Sequence, residues 1–286
     1  MSLAIALFYG VLQGATELFP VSSLGHAVVV PPLLRLGVSQ TDPSFLPFLV
    51  LLHLGTAAAL VILYWTEWVR ITRGFVRGAL SGDISGPDER LAMLLVVATV
   101  PTGIIGFLLA KPLQALFAAP RTVAIFLIVN GGLLLGAELL RRRAERRAGI
   151  TRRDASVEAG RFGSIDTMTV RSAMVIGASQ ILALLPGISR SGATMAAGLV
   201  AGLRHEEALR FSFLLATPII LAAGVLEVPN LAGAPDLGTY IVGALVAGLA
   251  AYASARFLVR YFRVGRLDPY AAYCALLGVT ALIVIH

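Results

Sequence analysis

The amino-acid sequence predicts an all-α polytopic membrane protein, in which six transmembrane helices and two re-entrant helical hairpins form an inverted repeat. Three observations support this fold class: 57% of the 286 residues are hydrophobic, only 14% are charged, and the mean hydropathy is +0.85. Soluble domains carry about 25% charged residues. The composition therefore excludes an ordinary soluble enzyme.

Six apolar stretches are each long enough to cross a bilayer, which requires about 20 residues. They lie at about 44–65, 91–110, 121–140, 207–227, 238–257 and 268–285.

Two further apolar stretches, residues 2–34 and 172–203, are interrupted near their middle by proline and small polar residues. The interruptions read F-P-V-S-S-L-G-H from Phe19 and L-P-G-I-S-R-S-G from Leu185. A single helix over 2–34 would be roughly 50 Å long, well beyond a hydrocarbon core of about 30 Å. We therefore expect each stretch to form a hairpin that enters and leaves the membrane at one face.

The chain is predicted to consist of two related halves, because aligning Pro20 with Pro186 also aligns Ser23 with Ser189. Each half then holds one broken segment followed by three crossings, and an odd number of crossings makes the repeats inverted. The expected units are a first repeat, a basic linker and a second repeat, at 1–140, 141–171 and 172–286.

The distribution of positive charge predicts the orientation. With both broken segments as hairpins, nineteen Lys and Arg residues lie in loops on one face and three on the other. A full crossing by the second segment would give a split of thirteen and nine, a poorer match to the positive-inside rule. We therefore expect a cytoplasmic linker, with both termini and the opening of the first hairpin on the outer face.

Other features of the composition exclude several classes of protein. The net charge is +7, but the basic residues lie in short loops between apolar stretches, where membrane topology and lipid headgroups account for them. This argues against nucleic-acid binding. The single cysteine, Cys274, excludes a disulfide framework and a cysteine-based metal site. Residues 1–34 contain no Lys or Arg, so we expect a retained membrane segment rather than a signal peptide.

Four residues that can carry charge are predicted at membrane depth: Glu17, His26, His53 and Arg190. Such residues are costly in a bilayer and usually functional. Gln13 lies one helical turn before Glu17, and this pair could hold a cation or orient a water molecule. The alternative is structural, with Arg190 paired to Glu17 to pin the hairpin tips. For His53, a packing role and a site role both remain open.

The tip of the second hairpin has the residue types that bind an oxyanion: glycines, hydroxyls, helix-opening N–H groups and arginine. These residues are Gly187, Ser189, Arg190, Ser191, Gly192 and Thr194. The alternative is a helix interface built from small residues. The first tip supplies Ser22 and Ser23 as hydroxyls, with His26 as a base for a serine nucleophile.

Two sequence motifs, Q-G-A-T-E-L-F-P-V-S-S-L-G-H from Gln13 and L-P-G-I-S-R-S-G-A-T from Leu185, resemble the paired signatures of the undecaprenyl-diphosphate phosphatase family, also called bacitracin-resistance proteins. The resemblance covers essentially the whole chain. It implies a multi-pass hydrolase of the bacterial plasma membrane that converts undecaprenyl diphosphate to undecaprenyl phosphate and phosphate. Such an enzyme recycles the lipid carrier of cell-wall synthesis, usually with Mg²⁺ or Ca²⁺.

The same resemblance implies roles for individual residues. It places the acidic motif, with the metal, at Gln13 and Glu17, an essential hydroxyl at Ser23 and an acid or base at His26. It assigns phosphate binding to Ser189, Arg190 and Thr194. Many members carry a second glutamate where this chain has Gln13. The candidate substrate-binding set is then Gln13, Ser22, Gly187, Ser189, Ser191, Gly192 and Thr194, and the candidate catalytic set is Glu17, Ser23, His26 and Arg190.

Several alternatives accompany this interpretation. Acid-phosphatase-like lipid phosphatases are excluded, because the chain has neither an Arg-Pro dipeptide nor a His-x-x-x-Asp motif. A secondary transporter or flippase for an anionic or lipid-phosphate substrate remains open, since inverted repeats with broken helices are typical of transporters. Attack by Ser23 and attack by a metal-activated water both fit the sequence. Besides the lipid substrate and membrane lipids, a homodimeric partner is compatible with the sequence.

Overall fold

A computed structural model of the protein describes residues 1–38, 42–114, 119–149, 162–232 and 236–285. Within these ranges the chain forms eleven α-helices and no β-strand. In chain order the helices are α1 Leu3–Thr16, α2 Ser23–Leu33, α3 Phe45–Leu63, α4 Trp65–Ser81, α5 Pro87–Gln114, α6 Pro120–Arg147, α7 Val170–Ser179, α8 Arg190–Val200, α9 His205–Ala232, α10 Leu237–Tyr261 and α11 Asp268–Val284.

The first predicted interruption is a break between α1 and α2. Helix α1 ends at Thr16, and α2 begins at Ser23 after a connection that contains Pro20. Ser22 caps α2, because its hydroxyl accepts a hydrogen bond from the Gly25 N–H at 3.2 Å. The two short helices pack against each other. The predicted end of regular helix near Pro20 is confirmed.

The second predicted interruption separates α7 from α8. A single 3₁₀ turn, Leu182–Leu184, precedes Pro186, and Ser189 caps α8 by accepting from the Gly192 N–H at 3.0 Å. Gly187 has a φ of +111°, which favours glycine, and an added Cβ would lie 2.6 Å from the Val123 carbonyl oxygen. The chain turns closely against α6 here, where a side chain would clash.

In the described part of the chain, five helices are long and apolar enough to cross a membrane: Phe45–Leu63, Pro87–Leu109, Pro120–Arg147, His205–Glu227 and Leu237–Tyr261. They correspond to five of the six predicted crossings. The sixth predicted crossing, 268–285, forms helix α11, which is apolar but has only 17 residues. The described helices thus identify a polytopic membrane protein.

Small residues let the long helices approach each other closely. Helix α10 packs against α1 and α3, and α6 packs against α11. At Gly55 of α3, an added Cβ would lie 2.1 Å from the Ala244 carbonyl oxygen of α10, and at Gly14 of α1 it would lie 2.3 Å from that of Ala247. Such contacts are characteristic of helix pairs in membranes, where packing replaces the hydrophobic effect between helices.

This packing predicts a stability loss for Gly55→Ala, because the methyl group has to push α3 away from α10. We expect a decrease of about 1–3 kcal/mol in the free energy of unfolding, measured in mixed detergent micelles. The matched control is Gly132→Ala in α6, where an added Cβ meets nothing within 4 Å. Equal stability of the two variants would contradict the close α3–α10 contact.

Candidate active site

The two helix breaks meet at a cavity of about 240 Å³. Helices α3 and α9 complete its wall. The polar side chains that line it are those of Glu17, Ser22, Ser23, His53, Ser189 and Arg190, and most of the remaining lining is aliphatic. The structure therefore brings polar residues from both predicted hairpin tips into one cavity among apolar helices.

Glu17 is the centre of the polar cluster, although its side chain is only 7% exposed. Its Oε1 atom accepts a hydrogen bond from Arg190 Nη2 at 2.8 Å. Its Oε2 atom accepts from Gln13 Nε2 at 3.1 Å and from the Ser23 hydroxyl. His53 Nε2 lies 3.2 Å from the same oxygen. This carboxylate among apolar helices thus accepts hydrogen bonds from three groups, and from His53 as a fourth when its Nε2 carries a proton, which reduces the cost of its burial.

The Ser23 hydroxyl is oriented by Glu17. Ser23 is the first residue of α2, and its side chain lines the cavity while donating to the carboxylate. A serine becomes a nucleophile when a neighbouring base can take its proton. Glu17 is in position to do so.

His26, which the sequence predicted as the base for a serine nucleophile, bonds to groups other than the Ser23 hydroxyl. Its Nδ1 atom lies 2.7 Å from the Ser22 carbonyl oxygen, and its Nε2 atom lies 2.8 Å from the Tyr273 hydroxyl. The His26 and Tyr273 rings are nearly parallel, with an interplanar angle of 5°. The side-chain partner of Ser23 is Glu17, and the imidazole of His26 faces α11 instead.

His53, whose role the sequence left open, faces the cavity from α3. Its Nδ1 atom lies 2.7 Å from the Leu49 carbonyl oxygen, which can only accept a hydrogen bond, so Nδ1 carries a proton. Nε2 therefore faces Glu17, and that contact is favourable when a proton lies between them. His53 and Glu17 can share a proton.

In the second break, Arg190 and Ser189 reach the cavity. Arg190 is the first residue of α8, and its Nη1 atom also donates to the Ser212 carbonyl at 3.5 Å. The Ser189 hydroxyl caps α8 and also lies 3.0 Å from the Ser191 hydroxyl. A phosphate in the cavity would therefore meet a guanidinium and hydroxyls.

The other predicted substrate-binding residues support the walls of the cavity. Ser191 donates to the Phe19 carbonyl at 2.9 Å, and Thr194 donates to the Ser212 hydroxyl at 2.7 Å. An added Cβ at Gly192 would lie 3.3 Å from the Pro20 carbonyl oxygen. At these three positions the geometry resembles the small-residue interface that was the alternative to an oxyanion cradle.

Two further residues of the predicted set, Gly187 and Gln13, hold parts of the site together. The Gly187 N–H donates to the Ser22 hydroxyl at 3.2 Å, which joins the two breaks directly. Gln13 supports Glu17 from the preceding helical turn.

Asn130 of α6 was not identified from the sequence, although it bridges the two breaks. It is fully buried, its Nδ2 donates to the Pro20 carbonyl at 3.0 Å, and its Oδ1 accepts from the Ser189 N–H at 3.0 Å. The available signal was a polar amide within the apolar stretch 121–140. A search for residues that carry charge overlooks it, because the amide does not titrate.

Residues 6–280 match the protein family described as "Bacitracin resistance protein BacA". The chain belongs to this family. It is 48% identical to a protein of Acidiphilium cryptum named "Undecaprenyl-diphosphatase", with 100% of this chain and 99% of that protein covered. It is 46% identical to "Undecaprenyl-diphosphatase 2" of Chromobacterium violaceum, with 97% of each chain covered. The resemblance carried by the two motifs is confirmed.

The residues that line the cavity offer few ligands for a divalent cation. Among the described residues, no group of three or more His, Cys, Asp or Glu side chains is arranged to hold a metal ion. Of the described residues that line the cavity, Glu17 is the one carboxylate. Mg²⁺ often binds one or two carboxylates together with substrate phosphates and water. The cavity therefore fits a cation shared with a phosphate ligand, and does not fit one held by protein groups alone.

The position of Asn130 predicts that Asn130→Leu destabilises the protein. The variant would leave the Pro20 carbonyl and the Ser189 N–H buried without their partner, at about 1–3 kcal/mol for each group. Thermal unfolding in detergent should show a clear decrease in Tm. A variant with unchanged Tm and retained ligand binding would contradict the bridging role.

Proposed function

We propose that this protein hydrolyses undecaprenyl diphosphate to undecaprenyl phosphate and inorganic phosphate in the bacterial plasma membrane, and so recycles the lipid carrier of cell-wall synthesis. The names of its relatives and its family support this activity. The observation that carries the proposal is the contact of Arg190, Ser23 and Glu17 in one cavity surrounded by apolar helices.

The cavity suits a charged head attached to a long apolar chain. Arg190, Ser189 and Ser23 are the groups that would contact phosphate oxygens, and Leu46 and Ile219 are among the aliphatic residues at its wall. A guanidinium binds two phosphate oxygens at once, which a lysine cannot do. The diphosphate would enter between the helices while the isoprenoid chain stays in the bilayer.

In the proposed first step, Ser23 Oγ attacks the terminal phosphorus. The bond from that phosphorus to the bridging oxygen breaks, and undecaprenyl phosphate leaves with the bridging oxygen. The serine proton passes to Glu17 and on to the departing phosphate. Arg190 stabilises the negative charge that develops on the phosphate oxygens.

In the second step, water attacks the phosphoserine. Glu17 takes the proton from the water and returns it to Ser23 Oγ as inorganic phosphate is released, so the overall reaction consumes one water molecule. His53 would hold Glu17 in position and share its proton. His26 would position the start of α2 through its contact with the Ser22 carbonyl.

Glu17 and Gln13, together with the diphosphate, are the groups that would hold a divalent cation. When bound, it would neutralise part of the phosphate charge, as metal ions do in phosphoryl transfer. Direct attack by a water molecule remains the alternative route. It differs from serine attack in leaving no phosphate on the protein.

We also propose the finer architecture: two inverted repeats, 1–140 and 172–286, joined by the cytoplasmic linker 141–171, each with a re-entrant hairpin and three crossings. Support comes from the serine-capped break in each half. In addition, the Met1 amino group pairs with Asp236, which brings the N-terminus to the connection between α9 and α10. Both would face outward, as would the cavity opening.

The enzymatic proposal predicts that purified protein in detergent, where no second compartment exists, releases phosphate from an isoprenoid diphosphate. A transporter or flippase would bind the lipid without turnover. A chelator should lower the rate, and added Mg²⁺ or Ca²⁺ should restore it. No phosphate release under any of these conditions would contradict the proposal.

Arg190→Lys is predicted to lose most of this activity, on the order of 100-fold, because the planar two-point contact with phosphate is lost. The matched control is Arg210→Lys, since Arg210 pairs with Glu67 away from the cavity. Near wild-type turnover by folded Arg190→Lys would rule out the clamp.

Serine attack predicts a trapped intermediate. Acid quenching with substrate labelled in its terminal phosphate should place the label on Ser23, and Ser23→Ala should lose both the label and most turnover. Ser22→Ala controls for the position of the label rather than for the rate: it removes the neighbouring hydroxyl that caps α2 and accepts from Gly187, and it should still place the label on Ser23. Substantial turnover by Ser23→Ala would favour attack by water instead.

The proposed orientation predicts labelling by an impermeant thiol reagent in a Cys274→Ala background. Cysteines at Gly37 and Gly238, where an added Cβ meets nothing within 4 Å, should react from outside intact cells. Cysteines at the exposed positions Asp83 and Val264 should react only after the membrane is opened. The reverse pattern would overturn the orientation.

A further inference from the structure

A second concave surface, which we call the α4 groove, lies between helices α3, α4 and α9. It has a volume of about 530 Å³ and is mostly apolar. Its lining consists of Val61, Trp65, Trp68, Val69, Thr217, Pro218 and Leu221, with Thr72 and Arg73. Helix α9 separates it from the active-site cavity, since Ile219 and Ile220 line that cavity and Pro218 and Leu221 line the groove.

Helix α4 has two different faces. On the apolar face, Trp65 is 61% exposed and Leu80 is 84% exposed. On the polar face, Arg70 and Arg77 form ion pairs with residues at the start of α5. An amphipathic helix with aromatic and arginine side chains in a membrane protein is suited to the boundary between acyl chains and headgroups.

One charged group of the groove has no ion-pair partner. Arg73 is exposed and, among the described residues, pairs with no carboxylate, in contrast to Arg70 and Arg77. The indole ring of Trp68 is part of the apolar lining, while its N–H is shielded inside the protein. A ligand complementary to this groove has a negative charge for the guanidinium and an apolar chain.

We propose that the α4 groove binds an anionic phospholipid of the bilayer. One acyl chain lies along the apolar lining, against the side chains of Trp65 and Trp68, and the headgroup phosphate pairs with Arg73. A free arginine near a membrane surface favours an anionic over a neutral headgroup by about fivefold in affinity. The groove is a separate place from the active-site cavity, because no described residue lines both.

The tryptophan content of the chain makes this site directly observable. The protein contains two tryptophans, Trp65 and Trp68, and both line the groove. In a Trp65→Phe variant the emission comes from Trp68 alone. Bromine atoms on an acyl chain quench a tryptophan only at close range, so quenching of Trp68 reports which lipid occupies the groove.

The experiment uses full-length Trp65→Phe protein in bilayers of fixed composition, an equal mixture of phosphatidylcholine and phosphatidylglycerol. In one sample the phosphatidylglycerol carries brominated chains, and in the other the phosphatidylcholine does. Total charge and total bromine are the same. The proposal predicts clearly stronger quenching when the anionic lipid carries the bromine.

Two further variants assign the selectivity to the groove. Arg73→Gln should abolish the difference between the two samples. Arg70→Gln removes the same charge from the same helix but outside the groove, and should retain the difference. Equal quenching in both samples would overturn the proposal, as would a difference that survives Arg73→Gln. Weak quenching by both lipids would show that protein or isoprenoid fills the groove, and would overturn it as well.

Discussion

The ion pair between Glu17 and Arg190 is the interaction on which the site depends. Its partners come from two helix breaks 173 residues apart in sequence, and both line a cavity among apolar helices. An unpaired charge there would be strongly destabilising. Because the helices are broken here, the side chains of Glu17 and Arg190 line a cavity between the helix ends. A continuous helix would direct its backbone groups along its own axis and would leave no such cavity. The surrounding contacts of Asn130 and Ser22 then satisfy the backbone groups that the breaks expose.

The same pair explains how a stable resting site can become reactive. While Arg190 binds Glu17, the guanidinium is stabilised and the carboxylate holds the Ser23 hydroxyl. A diphosphate offers Arg190 a more highly charged partner. In the proposed reaction the guanidinium would move onto phosphate oxygens, and Glu17 would then become a better acceptor for the serine proton. Substrate binding and activation of the nucleophile would be coupled through one carboxylate.

Much of this arrangement could be predicted from the sequence. The prolines at positions 20 and 186 indicated the helix breaks, and the cost of membrane charge indicated Glu17 and Arg190. Side-chain direction could not be predicted: His26 follows Ser23 by three residues, yet its ring bonds to the Ser22 carbonyl and to Tyr273. The roles of His53 and Asn130 depend on contacts between distant helices. Sequence spacing contains no information about such contacts.

The central claim, that the pair of Glu17 and Arg190 holds the two breaks together, is tested most directly by a double-mutant cycle. The free energy of unfolding in mixed detergent micelles would be measured for Glu17→Gln, Arg190→Gln and the double variant. Each single change removes the charged partner of a largely shielded group, which costs up to about 3–5 kcal/mol. The account predicts that the double variant loses at least about 1 kcal/mol less than the sum of the single losses. Losses that add within about 0.5 kcal/mol would contradict it.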